Sequence, residues 1–260
     1  MMRPVSRSPL LLVLVLLLGL SALNGCAAKK AAQPAEAPED AGYPQIADPL
    51  EPWNRFWFGF NDVFYMGIGK PFSKGYTTVM PKYARERIEN AYSNLLFPAR
   101  FLNAILQLRP DKASRELGRF IINSTFGLGG LYDLAAADPN MKPQRLDFGQ
   151  TLGVWGMGHG FYLILPIVGP TSLRDTVGMV VDATAQPTTY FDAPYVLTVG
   201  ISAVGRINRL PEMLDIYEEI KRASLEPYVA SRDAYAQLRA RMIKEALKDA
   251  WVKTDSQPQQ

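Results

Sequence analysis

The stretch "WNRFWFGFNDVFYMG", Trp53 to Gly67, decides the fold class. A step of about 100° per residue gathers Trp53, Phe56, Trp57, Phe60, Val63 and Phe64 on one broad face. Asn54, Arg55, Asn61 and Asp62 then fall within about a third of the circumference. Phe58 and Tyr65 intrude on that polar stripe. A surface helix of a soluble protein has the opposite proportions, an apolar stripe beside a wider polar face, whereas a helix apolar nearly all round lies in a core or in lipid.

The same design recurs along the chain. In "ARFLNAILQL" Arg100, Asn103 and Gln107 stand at i, i+3 and i+7 of an otherwise apolar segment that Pro98 opens and Pro110 closes. In "SLRDTVGMVVDAT" Arg174, Asp175, Gly178 and Asp182 repeat it. Alternating strand patterns are scarce, and no internal repeat of fixed period is present. Segments of ten to fifteen residues rise about 15 to 22 Å, half or somewhat more of a hydrocarbon core about 30 Å thick. They are too short to cross a bilayer singly and suit one leaflet, apolar flank to lipid and polar stripe inward. A compact helical core with satisfied internal polar groups has the same periodicity, so the setting has to come from elsewhere.

It comes from the first residues. Arg3 and Arg7 precede an apolar run from Leu10 to Leu20, followed by small residues in "LSALNGC", the order of a secretory signal peptide. "LNGC" has the form of a bacterial lipobox, and Cys26 is the only cysteine of the 260 residues. Acylation at Cys26 accounts for both its position and its solitude, since a lone thiol in an exported protein is otherwise odd. The expected organisation is a leader over 1–25, a lipidated and flexible tether over 26–47 rich in Ala, Pro and Glu, one helical domain over 48–250, and a disordered tail over 251–260. Ala27 after the cysteine favours the outer membrane. From Pro211 onward both charge signs become dense, and Pro227 separates two ordinary amphipathic helices, read as facing the aqueous periplasm.

Composition excludes several chemistries. Loss of Arg3 and Arg7 brings the net charge from +3 to about +1, which argues against nucleic acid. His159 is the only histidine and Cys26 the only cysteine, so neither a Cys/His zinc site nor a cysteine–histidine pair can be assembled. No Gly-x-Ser-x-Gly elbow presents a serine to His159. "GIGKP" has Phe64 where a phosphate loop needs its first glycine and Pro71 where it needs Ser or Thr. Gly149, Gly153, Gly156, Gly158 and Gly160 give backbone freedom around His159 and read as a hinge or hairpin, with "FYLILPIVG" buried in a core or a leaflet.

Five blocks, "DPLEPWNRFWFGFND", "NLLFPARFLNAILQ", "GRFIINSTFGLGGLYDLA", "FGQTLGVWGMGHGFYLILPIVGPTSLRD" and "EPYVASRDAY", together with the lipobox, resemble the MlaA (VacJ) family of outer-membrane lipoproteins in order and spacing. The resemblance implies an all-α, ring-like bundle of short amphipathic helices embedded in one membrane leaflet. It implies trimeric porins as partners, an amphipathic channel that removes mislocalised phospholipids from the outer leaflet, and a periplasmic carrier that receives them. No cofactor is implied beyond the diacylglycerol and acyl chain on Cys26, and no catalytic or metal-binding residue. By position, Asn54, Arg55, Phe58 and Asn61 inherit the family's N-terminal signature. Asn103, Arg174, Asp175 and Asp182 are candidates to line the channel, with a structural pair of Arg174 and Asp175 as the alternative. Gly156, Gly158 and Gly160 are candidates for a flexible gate hairpin beside its mouth. A porin-associated scaffold that transports nothing, and a phospholipase, are the competing functions.

Overall fold

The computed structural model describes residues 46–186 and 195–250, with side chains from residue 199 onward in the second stretch. The leader, Cys26, nearly all of the tether and the tail over 251–260 lie outside the described residues. Helix α1 (Glu51–Phe64) begins with Glu51 and Pro52, an acidic residue and a proline suited to a first turn where amides are unbonded anyway. It runs through a π-helical turn (Tyr65–Gly69) into α2 (Lys70–Val79). Pro71 explains the wide turn: it has no N–H for the Gly67 carbonyl, and its ring would clash with that oxygen in a regular helix. "GIGKP" is thus helical.

Helices α3 (Lys82–Leu95), α4 (Phe97–Leu106) and α5 (Pro110–Thr125) follow, then two short 3-10 turns and α6 (Phe148–Val154). An antiparallel hairpin, β1 (Tyr162–Leu165) and β2 (Gly169–Ser172), pairs Tyr162 with Ser172 and Leu165 with Gly169. Helices α7 (Leu173–Thr184), α8 (Tyr195–Ala223) and α9 (Pro227–Asp249) complete the order. The fold is all-α apart from that hairpin, and none of the described helices is long and apolar enough to cross a membrane.

Three expectations need correction. Pro110 does not close the α4 segment but opens α5, where its missing N–H costs nothing. Helix α8 starts well before Pro211 and carries that proline in its interior. Gly149 and Gly153 are not hinge residues: both lie within α6, where they permit contact. A Cβ built on Gly178 of α7 would stand 2.3 Å from the Gly149 nitrogen and 2.6 Å from its Cα. Helices α6 and α7 therefore touch backbone to backbone. A Cβ on Gly153 would meet Ile243 Cδ1 at 2.4 Å.

The orientation of α1 sets the character of the whole body. Asn54, Phe58, Asn61 and Tyr65 share one face and point into the protein, while Phe56 and Val63 on the opposite face are 64% and 73% exposed. Trp53 and Phe60 are exposed beside them, and Ile68 and Phe72 continue the outer stripe. Helix α4 and the two residues after it do the same: Ala99, Asn103 and Gln107 are buried, whereas Leu102, Ile105 and Leu108 are exposed. The aromatic pair that interrupts the polar stripe of α1 now has a reason. Phe58 packs edge to face on Tyr228 at 5.7 Å and Tyr65 on Tyr217 at 5.4 Å, joining α1 to α9 and α8. Tyr162 and Ile164 of β1 form the buried centre with Ile46, Tyr228 and Ala236.

Candidate functional site

A two-stranded hairpin is marginal in water, and its free edge is a row of unpaired backbone groups. Here side chains close that edge. The Asn54 amide donates to the Tyr162 carbonyl at 3.0 Å and accepts from the Ile164 N–H at 2.9 Å. Seven residues on, Asn61 donates to the Leu165 carbonyl at 2.9 Å and accepts from the Ile167 N–H at 2.7 Å. The Tyr65 hydroxyl donates to the Ile167 carbonyl at 2.8 Å. Two asparagines and a tyrosine at helical spacing thus imitate a neighbouring strand. Asn54 also donates to Asp48 at 2.8 Å and is wholly buried. Arg55 leaves this face: it pairs with Glu51 at 2.7 Å and Glu226 at 3.5 Å and lies 4.4 Å over the Tyr228 ring.

Asn103, Asp182, Arg174 and Asp175 belong to a second polar assembly around α6. Asn103 donates to Asp182 at 2.8 Å and accepts from Thr151 Oγ1 at 2.8 Å, and Gln107 donates to the same hydroxyl at 3.0 Å. Asp182 also accepts the Phe148 N–H at 2.9 Å, the first amide of α6, while Asp147 accepts that of Gln150 at 2.7 Å as the helix cap. Burial pushes the Asp182 carboxyl up to about 6, against hydrogen bonds from Phe148 and Asn103 that pull it down. Arg174 donates to Asp175 at 2.8 Å, and both are buried, so the structure brings this candidate pair together as a salt bridge. Burial alone would raise Asp175, but Arg174, Arg239 and Tyr235 outweigh it and hold its carboxyl below the usual range.

Sequence reading missed the hub of that assembly, Arg239. From α9 it makes two bonds to Asp147 at 2.7 and 2.8 Å and an ion pair with Asp175 at 2.7 Å. Tyr235, one turn earlier, donates to Asp175. Both residues sit in the most ordinary-looking part of the chain, and only their i, i+4 spacing on one face hinted at joint work. Arg100, paired at 2.8 Å with the fully buried Glu116, was read as a stripe residue without its partner.

Beside the second assembly lies a cavity of about 830 Å³, in the range of roughly 300–1,000 Å³ typical of ligand pockets. Helices α3, α4, α7, α8 and α9 and the segment from Pro143 to Asp147 line it. Its walls carry Arg100, Arg145, Arg209 and Arg239 with Glu89, Asp133, Asp147, Asp182 and Glu212, alongside Leu96, Ala99, Leu146, Leu238 and Met242. Arg209 is held at 2.6 Å by Glu89. Charge thus gathers in this cavity, while α1, α2 and α4 turn aromatic and aliphatic groups outward.

The candidate gate glycines precede the hairpin rather than form its turn. Gly156 has φ +91° and Gly160 φ +70°, values that disfavour any side chain, and a Cβ on Gly158 would meet nothing within 4 Å. The loop is anchored by Trp155, whose indole donates to the Leu106 carbonyl at 2.9 Å, and by the Arg174 amide on the His159 carbonyl at 3.3 Å. Burial and the charge of Arg174 lower the His159 pKa, which keeps the ring neutral near pH 7. Among the described residues, no group of three or more His, Cys, Asp or Glu side chains is placed to hold a metal ion.

A family model described as "MlaA lipoprotein" matches residues 46–242. A Rickettsia felis protein described as "Uncharacterized protein" is 34% identical over 200 residues, covering 77% of this chain and 79% of that one. The Escherichia coli K12 protein named "Intermembrane phospholipid transport system lipoprotein MlaA" is 33% identical over 226 residues, 85% of this chain and 84% of that one. A solved structure described as "Structural basis for maintenance of bacterial outer membrane lipid asymmetry" is 34% identical, with a TM-score of 0.67 over 76% of this chain and 99% of that one.

Proposed function

Since the chain belongs to the MlaA lipoprotein family, we propose that it withdraws phospholipids mislocalised to the outer leaflet of the outer membrane. In this reading Cys26 carries the lipid anchor, the apolar outer stripes of α1, α2 and α4 rest in the inner leaflet, and trimeric porins hold the protein in place. Phospholipid headgroups pass through the charged cavity and are received by a periplasmic carrier. The observation that carries the reading is the cavity of about 830 Å³ lined by nine charged side chains inside a body whose α1, α2 and α4 expose apolar stripes.

Physical chemistry favours that arrangement for a headgroup. A polar group crossing hydrocarbon loses its hydrogen bonds at a cost of several kcal/mol each, whereas fixed side chains on a wall replace them. Acyl chains tolerate Leu96, Leu238 and Met242 on the same walls. Passage follows concentration and the carrier's affinity, so no nucleotide enters the scheme. The gate glycines fit it as a loop beside Arg174, with Gly158 the least constrained of them. Photocrosslinkers at Gln144 and Leu238, in cells labelled with radioactive phosphate, test it: phospholipid captured there, and much less at the solvated position Lys82, is the expected result. Capture no greater than at Lys82 would overturn it.

A further inference from the structure

A second cleft, of about 560 Å³, opens between the glycine loop and α9. One wall is Gly153 to His159; the other is the face of α9 carrying Ile243, Lys244, Leu247 and Lys248. Arg174 lines it too, and the lining includes no carboxylate. Lys244 and Lys248 stand at i, i+4, where like charges repel, and neither has an anionic partner among the described residues.

Two polar atoms beneath these lysines are also unsatisfied. Arg174 is only 4% exposed, yet its Nη2 has no hydrogen-bond partner, and the buried His159 Nδ1 has none either. Buried donors normally find an acceptor, and leaving one unmet costs about 1–3 kcal/mol. The loop that covers them is fastened to Arg174 by a long contact, Nη1 to the Met157 carbonyl at 3.4 Å, and contains the unconstrained Gly158. Displacing that carbonyl exposes the guanidinium to whatever occupies the cleft. The site thus offers two unpaired lysines at its rim, a deeper Arg174 whose Nε is held by Asp175 but whose Nη2 is unmet, and an apolar lining from Met157, Ile243 and Leu247.

We propose that this cleft binds the phosphate of an anionic glycerophospholipid, with Lys244 and Lys248 engaging it from the rim and Arg174 from below as the loop shifts. The apolar lining suits the glycerol and the first methylenes of the chains. The inference rests on the transport reading for its biological sense and adds a headgroup site outside the main cavity. A phosphate ester can come from a lipid or from a soluble compound, and the test separates the two.

The experiment is equilibrium binding of dihexanoyl phosphatidylglycerol to the purified full-length lipoprotein in a non-ionic detergent. Dihexanoyl phosphatidylcholine, glycerol phosphate and inorganic phosphate serve as separate titrants. The double variant K244Q/K248Q should bind phosphatidylglycerol about 30-fold more weakly, the loss expected for two cations acting on an anionic lipid. K142Q should bind as the parent does. Both lysines are exposed, so unchanged thermal unfolding of the double variant confirms that the effect is on binding. Equal, lysine-dependent binding of glycerol phosphate would support the site with a soluble source. No binding by the parent, or binding indifferent to K244Q/K248Q, would overturn the inference. The main-cavity reading fails separately, through crosslinking at Gln144 and Leu238, because neither residue lines this cleft.

Discussion

Asn54→Ala separates a structural from a channel-lining role for the family signature. The substitution deletes an amide that serves two backbone groups of β1, the Tyr162 carbonyl and the Ile164 N–H, and one oxygen of Asp48. Asp48 keeps its bond from the Tyr228 hydroxyl and its contact with Arg232, so its loss is small. The two backbone groups have no other partner and stay buried in a shell of Tyr162, Ile164 and Tyr228. At about 1–3 kcal/mol for each unsatisfied group, the destabilisation is about 2–6 kcal/mol. For a domain of this size each kcal/mol moves the midpoint by about 2–4 °C, so Tm should fall by about 4–24 °C. Asn54→Asp should be no better: it keeps the acceptor for Ile164 but sets a carboxylate against Asp48 and the Tyr162 carbonyl. Thermal unfolding followed by far-UV circular dichroism in detergent measures both. A midpoint for Asn54→Ala within about 2 °C of the parent would refute the reasoning, and lost transport in such a stable variant would return Asn54 to the channel wall.

Other consequences follow from single positions. Gly178→Ala should destabilise by about 1–3 kcal/mol or more, because its Cβ meets backbone of α6 that cannot swing aside. Gly59→Ala, in open space on α1, should stabilise by about 0.5–1 kcal/mol; denaturant titration of the two reads the contrast. The carboxyl of Asp182, raised to about 6 by burial, makes the folded state bind a proton that the unfolded chain releases near 4. Its contribution to stability is therefore greatest below pH 4 and declines as pH rises to 6, by up to about 3 kcal/mol for two units. His159, lowered by burial, acts with the opposite sign, adding stability as pH rises toward the ordinary imidazole value. The quantity to measure is thus the difference in Tm between the parent and Asp182→Asn across pH 4 to 7; a flat difference would contradict the assignment. Cys26→Ser should abolish labelling by a palmitate analogue in cells, and retained label would remove the anchor.

Much of this was legible at the start because the chain's polar residues are so few on its apolar helices. Asn54, Asn61, Asn103 and Asp182 were all picked out by period alone, and each is turned inward. Their partners were not legible. A side-chain amide that pairs with a strand edge carries no sequence signal at the strand, and "FYLILPIVG" shows no alternation because the half-buried residues of β1, Leu163 and Leu165, are as apolar as the buried Tyr162 and Ile164. The hairpin was therefore read as a generic apolar run. Glycine was misread for a related reason: at Gly149 and Gly178 the residue serves contact between helices, at Gly156 and Gly160 it serves a positive φ, and spacing cannot tell these apart. Stiffening Gly156 with proline is consequently a poor test of gating, since φ +91° excludes proline outright; Gly158→Ala changes flexibility with neither strain nor collision. Arg239 was missed because its partners Asp147 and Asp175 lie 92 and 64 residues away.

The most direct measurement of the central claim is the amount of phospholipid in the outer leaflet of intact cells. A strain lacking this gene is compared with the same strain complemented by the parent sequence. The account predicts a rise on deletion, reversal on complementation, and no difference in free fatty acid. An unchanged outer leaflet would contradict it in favour of a scaffold, and fatty acid that falls on deletion would contradict it in favour of an enzyme.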